Sequence, residues 1–158
     1  LESSDSPTAL VLTRQKTKAL DHTDETVAGA AKGGYVVSEA EGGSPEGILL
    51  ASGSEVDLAI AAQAKLAEQG KKVRVVSMPC MELFEAQDDA YKQSVLPDSA
   101  GKRVAVEAAE PMSWYRYIGR DGATVAMNRF GESAPGDLLF EKFGFVPATV
   151  VNAYNELG

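Results

Sequence analysis

The sequence predicts an α/β protein of three layers: a mostly parallel sheet of about five strands with helices on both faces. Two observations carry this. From Ile48 onward, short apolar runs rich in β-branched residues alternate with segments of helical periodicity. Gly and Pro punctuate that alternation, with Gly70 after a helix, Pro79 after a strand and Gly144 after another helix. A strand–helix–strand rhythm implies right-handed crossovers, and those place helices on both faces of parallel strands.

The elements follow in order. Thr8–Thr13 (Thr-Ala-Leu-Val-Leu-Thr), preceded by Pro7, reads as a short buried strand. Residues 15–32 are polar and weakly patterned, a connector with a helical turn near Glu25–Ala31. Gly33-Gly34 breaks the chain before a strand at Tyr35–Val37, and a turn-rich stretch, Glu41–Gly47, separates this from a strand at Ile48–Ala51. Those two strands fit either a hairpin or separate places in a sheet.

A helix is expected from Glu55 to about Gln69, with Leu58, Ala62 and Leu66 on one stripe and Gly70 as its left-handed stop. Ser54 has the chemistry of an N-cap, and Asp57 stands where a capping-box acid would. Val73–Met78 is the next strand. Two short helices between Met81 and Leu96 are expected to turn Phe84, Tyr91 and Leu96 inward. Strands at Arg103–Glu107 and Ala123–Met127 flank a short helix with Trp114, Tyr115, Tyr117 and Ile118. Two helices close the chain, one from about Pro135 to Phe143 and one opening on Pro147, a favoured first helical residue.

A chain of 158 residues fits one domain of ordinary size. It can bury about 68–70% of its unfolded surface, so it needs neither disulfide nor metal to fold. The net charge of −8 disfavours nucleic acid and anionic membrane as partners. A single cysteine, Cys80, excludes an internal disulfide and suits a reducing compartment. No apolar run reaches the ~18–20 residues of a membrane span. The start, Leu-Glu-Ser-Ser-Asp, reads as the interior of a longer protein.

Chemistry is sparse. The dinucleotide fingerprint and the Walker A pattern are both absent. The turn Ser52-Gly53-Ser54 is the nearest approach to a phosphate cradle, but Glu55 and Asp57 would repel an anion there, so an ordinary βα turn is the better reading. His22, the only histidine, lies in the polar connector and reads as an exposed side chain. One His and one Cys cannot assemble a zinc site of that type. Cys80 follows a strand end but has no neighbour to activate it, and reads as structural. Glu107 and Glu110 flank a strand end and could pair for acid–base work, with solvated charges as the plainer alternative. Trp114, Tyr115 and Tyr117, beside Arg116, fit core packing or a subunit contact better than a nucleic-acid platform. Any small-molecule site of the domain itself is expected at the carboxyl ends of the strands, near Ser52–Ser54 and Pro79–Cys80.

Several segments in series resemble the C-terminal portion of transketolases. They are Pro7–Leu10 leading to Thr13-Arg14-Gln15, then Lys32–Val36, Ala51–Val56, Val73–Pro79, Phe84 with Gln87, Tyr91–Pro97, Val104–Ala108, Phe130–Pro135 and Phe143–Phe145. The match runs from about Pro7 to Leu157, and its strength lies in the order and spacing of many short motifs. Thr13, Lys16 and Val146 depart from the family's usual Ser, Asn and Thr.

The resemblance implies that residues 1–32 are the end of a pyrimidine-binding domain plus connector, and residues 33–158 a C-terminal domain. The family's enzymes are cytoplasmic homodimers that use thiamine diphosphate and Mg2+ or another divalent metal. They move a two-carbon ketol unit from a ketose phosphate to an aldose phosphate, in the pentose phosphate and Calvin pathways. No catalytic, cofactor or metal residue is carried onto this chain, because the diphosphate motif is missing; Gly119-Arg120-Asp121-Gly122 is only an echo of it. The isolated chain is expected to be inactive, with a structural, dimer-supporting or regulatory role. Arg14 is the one residue that the resemblance assigns to substrate, as a sugar-phosphate ligand in the intact enzyme. The alternative for Arg14 is a surface pairing with Asp21 or Asp24. The rival for the whole chain is a flavodoxin-like nucleotide-binding or interaction domain.

Overall fold

The computed structural model describes residues 7–20 and 23–158; His22 and Asp21 lie outside the described residues. Five strands form one sheet: β1 (Tyr35–Ser38), β2 (Gly47–Ala51), β3 (Val73–Ser77), β4 (Lys102–Glu107) and β5 (Ala123–Ala126). Their order is β1-β3-β2-β4-β5, with β1 antiparallel to β3 and every other pair parallel. The strands at Tyr35 and Ile48 are therefore not a hairpin, since β3 lies between them.

Seven helices accompany the sheet among the described residues: α1 (Asp24–Ala31), α2 (Glu55–Glu68), α3 (Met81–Glu85), α4 (Asp89–Val95), α5 (Tyr115–Ile118), α6 (Gly136–Lys142) and α7 (Pro147–Asn155). Strand residues alternate between two apolar clusters, as the two-residue period of a pleated sheet requires. Leu49, Val75, Val104 and Val106 face α2 and α7, meeting Ala59, Ala62, Leu66, Val150 and Tyr154. Ile48, Leu50, Val76 and Ala105 face the other way, onto Phe84, Val95, Trp114, Tyr117 and Ile118. The small side chains of Ala59 and Ala62 are fully buried, so the backbone of α2 lies close to the sheet.

Of the aromatic residues between β4 and β5, Trp114 and Tyr117 are core. Trp114 and Tyr117 are buried with ring centroids 6.5 Å apart, and Tyr117 meets Phe84 edge-on at 6.1 Å. Such edge-to-face pairs suit the aromatic quadrupole. Tyr115 points outward, and Arg116 pairs with Glu85 at 2.6 Å, joining α5 to α3.

Two sequence expectations are corrected. Thr8–Thr13 is not a strand: the segment has no regular structure and pairs with no strand, and Leu10, Val11 and Leu12 are exposed at 71%, 92% and 76%. A strand exists only through its ladder, and this segment pairs with neither edge strand of the sheet, β1 or β5. Ser54 does not cap α2. It already has helical angles (φ −68°, ψ −22°), and its hydroxyl bonds Glu55 rather than a backbone N–H. The backbone carbonyl of Ser52 accepts from the Glu55 N–H instead.

At the other end of the chain α7 opens on Pro147 after Val146, which has the extended cap geometry (φ −127°, ψ 151°) but no side-chain bond. Val146→Thr is expected to stabilise the domain by about 0.5–1 kcal/mol, because a hydroxyl there can accept from the free N–H groups of the first turn. Urea unfolding measures it; an unchanged or lower midpoint would show that the valine's packing outweighs the missing cap.

Candidate functional site

The crossovers that leave β2 and β4 part in opposite directions: β2 leads through α2 to β3, and β4 leads through α5 to β5. In such sheets the crevice opens beyond the carboxyl ends of the strands where the connections part, here between β2 and β4. Ser52 and Glu107 stand there, and the Ser52 hydroxyl donates to Glu107 Oε2 at 2.9 Å. The Trp114 indole lies by the same carboxylate and favours its charged form. Across from it, Glu55 is only 5% exposed and accepts from the Ser54 hydroxyl at 2.9 Å.

Two carboxylates thus share the crevice, and the pair is not the one expected. Glu110 turns away and accepts from the Met112 N–H at 2.9 Å, in an exposed turn. Glu107 faces Glu55, a residue read from the sequence only as a first-turn charge. Burial raises the pKa of Glu55, with repulsion from Glu107 adding to it and the Ser54 bond opposing. Burial likewise raises Glu107, opposed by the Ser52 bond and the neighbouring Trp114 indole. Both effects follow from the cost of holding charge away from water.

A raised folded pKa means that the native chain binds more protons than the unfolded chain. From the ordinary carboxylate value of 4.5 upward, stability therefore falls as pH rises through the folded values. Glu55→Gln is expected to flatten that fall and raise the urea midpoint at pH 7. Urea titrations at a series of pH values test it, and an unaltered slope would remove Glu55 from the account.

The other sequence candidates are placed plainly. Cys80 is half-buried and its thiol donates to Glu82 Oε2 at 3.5 Å. Beside it the space is filled: the Cys80 N–H bonds the Gly33 carbonyl, and Gly33 sits at φ +87° against Cys80 and Phe84, where any side chain would collide. Gly33 therefore covers one side of Cys80, while Pro79 stays exposed. Among the described residues no group of three His, Cys, Asp or Glu could hold a metal ion, and no helix is long and apolar enough to cross a membrane.

Arg14 lies at a bend in the connector, exposed, with no hydrogen bond or ion pair among the described residues. The connector itself is held against the rim of the crevice. Gln15 lies on Gly136, and the Lys18 N–H donates to Asp57 Oδ2 at 2.9 Å. Asp57 thus serves the connector and not a capping box.

Fold and site together define a doubly wound α/β domain whose strand ends carry a closed polar cluster and a tethered connector instead of a catalytic constellation. Comparison places it more narrowly. The transketolase-like C-terminal domain profile matches residues 33–146. Over 157 residues the chain is 51% identical to transketolase 1 of Escherichia coli and 49% identical to transketolase 1 of Vibrio parahaemolyticus. In both cases the match covers 99% of this chain and 24% of the relative. Among solved structures, the transketolase of Leishmania mexicana superposes with a TM-score of 0.79 at 42% identity, covering 91% of this chain and 20% of that one. A transketolase variant from Pichia stipitis gives a TM-score of 0.81 at 33% identity, covering 91% and 20%. The chain belongs to the transketolase C-terminal domain family. It spans about a quarter of the length of the curated relatives it matches, and nothing in these matches favours a flavodoxin-like module.

Proposed function

We propose that this chain is the C-terminal domain of a transketolase, with residues 1–32 as the tail of the pyrimidine-binding domain and connector. Its parent transfers a two-carbon ketol unit between ketose and aldose phosphates, as a homodimer in the cytoplasm. The observation that carries this is identity of about one half along 157 residues to transketolases, together with the match of residues 33–146 to the transketolase-like C-terminal domain.

Thiamine diphosphate and a divalent metal such as Mg2+ would supply the carbanion chemistry in the parent. The residues here do not fit that group: at the crevice Glu55 and Glu107 present negative charge to a diphosphate, and the chain lacks the diphosphate motif. The domain's part is instead structural, carrying the connector on which Arg14 stands. Arg14 binds the sugar phosphate in this reading. Its exposure and its lack of an acidic partner among the described residues support that, as does the match of a planar five-donor guanidinium to a phosphate dianion. A structure of Pichia stipitis transketolase, 34% identical to this chain, contains sedoheptulose 7-phosphate, which supports a sugar phosphate as the substrate class.

The test is a graft. With this chain in place of the matching quarter of the Escherichia coli enzyme, ketol transfer between sugar phosphates is expected to persist. The chain alone is expected to show no saturable heat with thiamine diphosphate and Mg2+ in titration calorimetry. A folded but inactive graft, or micromolar binding by the isolated chain, would overturn the assignment.

A further inference from the structure

We infer that the C-terminal domain sets the position of Arg14, with Asp57 and Gly136 as positioning residues for the phosphate end of the substrate. The inference rests on the reading of Arg14 given above. Between Pro7 and Leu20 the chain has neither helix nor strand, and the hydrogen bond that spans Arg14, from the Gln15 N–H to the Thr13 hydroxyl at 3.1 Å, shapes the bend locally without placing it on the domain. It is fixed from outside, at two points on the C-terminal side of Arg14.

One residue on, Gln15 lies against Gly136, so closely that a Cβ there would come 2.5 Å from Gln15 Nε2 and 3.3 Å from Cδ. Four residues on, the Lys18 N–H donates to Asp57 Oδ2 at 2.9 Å, and Leu20 then packs on the core. Both anchors belong to one edge of the fold. Asp57 lies in the first turn of α2, which starts at the carboxyl end of β2, and Gly136 opens α6. Between connector and domain lies a cavity of about 180 Å3, bounded by Gln15, Ala108 after β4, Met127 after β5 and the rings of Phe140 and Phe143.

The Asp57 bond is to a backbone N–H and carries a full charge on the acceptor, so it holds the chain itself and not a rotatable side chain. An acid in a first helical turn is stabilised by the helix dipole alone and needs no such partner. Gly136 lets the amide end of the Gln15 side chain approach, and a Cβ there would displace that flexible end first. A phosphate ligand delivers its binding energy only when held in the productive geometry, and these two contacts supply that hold.

In the full-length enzyme, Asp57→Ala is expected to raise KM for a phosphorylated acceptor by roughly three- to tenfold with kcat within about twofold, leaving KM for glycolaldehyde unchanged. Asp57→Asn keeps an acceptor oxygen and is expected to restore most of the loss. Gly136→Ala, whose Cβ displaces the amide end of the Gln15 side chain, moves the same KM in the same direction by a smaller factor than Asp57→Ala. In an Arg14→Ala background neither substitution has a further effect, because the group they position is gone. If Arg14→Ala alone raises KM while Asp57→Ala and Gly136→Ala are silent, the positioning role is overturned and the reading of Arg14 stands. If Arg14→Ala is itself silent, that reading falls and the inference with it. A rise for both acceptor types, or one that persists without Arg14, would mark a general structural defect and also overturn the role. Far-UV circular dichroism of each variant fixes the folded fraction used in the comparison.

Discussion

Arg14→Ala in the full-length enzyme is expected to raise KM for phosphorylated sugars by about ten- to hundredfold while lowering kcat much less. Charge-assisted hydrogen bonds to phosphate contribute about 1.5–3 kcal/mol, which converts to that range. The split between KM and kcat follows from distance: a phosphate at the far end of the sugar is bound alike in ground state and transition state, so its loss is uniform. A non-phosphorylated acceptor such as glycolaldehyde never makes the contact and is expected to feel the change less. Arg14 is exposed and free of partners among the described residues, so its truncation leaves no buried group unpaired and the fold is expected to be untouched. Steady-state assays with both acceptor types decide the matter. Equal KM values for variant and parent with phosphorylated sugars would retire Arg14 as a ligand.

Arg74→Met is expected to lower the unfolding free energy by about 3 kcal/mol, the largest loss of stability foreseen here. Arg74 is 7% exposed in the middle of β3, every residue of which is buried. Its Nε and Nη2 grip both oxygens of Glu39 at 2.9 and 2.7 Å. Its Nη1 reaches the carbonyls of Ser94 and Val95 at 2.6 and 2.9 Å. Those carbonyls end α4, where a helix has no partners of its own to offer. The Glu39 side chain is 43% exposed and can return to water, so Glu39→Gln is expected to cost under about 1 kcal/mol. The carbonyl of buried Val95 cannot be resolvated so easily, and its orphaning makes up most of the loss. Arg74→Lys keeps the charge but not the planar fork, and should fall between. Urea midpoints for the three variants rank these terms. A loss in Arg74→Met no larger than in Glu39→Gln would show that the helix end finds other partners.

Much of the fold was legible from the sequence because it is written in local periodicity. The stripe of Leu58, Ala62 and Leu66 and the stop at Gly70 define α2 without reference to any neighbour, and Gly70 does adopt φ +75°. The inward turn of Phe84, Tyr91 and Leu96 was likewise readable, with Phe84 and Leu96 buried and the Tyr91 hydroxyl bonding the Gly34 carbonyl. The misreadings share one cause. Thr8–Thr13 has the composition of a strand, but strandhood belongs to a pair and the segment pairs with no strand of this sheet. Ser54 has the chemistry of a cap, but Ser52 and Gly53 set the turn one step earlier and leave it inside the helix. Glu110 is near Glu107 in sequence, but the chain turns after β4 and carries it off.

The sequence by itself determined the layers, the helices, the inward aromatic residues and, through its ordered motifs, the family. These rest on which residue types recur at which short spacing, and short spacing survives without a fold. Tertiary structure alone decided what depends on distant segments meeting. It set the strand order around β2, the burial of Arg74 as the partner of Glu39 and the end of α4, and the facing of Glu55 and Glu107 across 52 residues. It also bound the connector at Lys18 to Asp57. A hydrogen bond between a backbone N–H and a carboxylate 39 residues away leaves no mark in composition or periodicity. Either residue alone looks like an ordinary surface position, and only the crossing of the chain over the carboxyl edge of the sheet brings the two together.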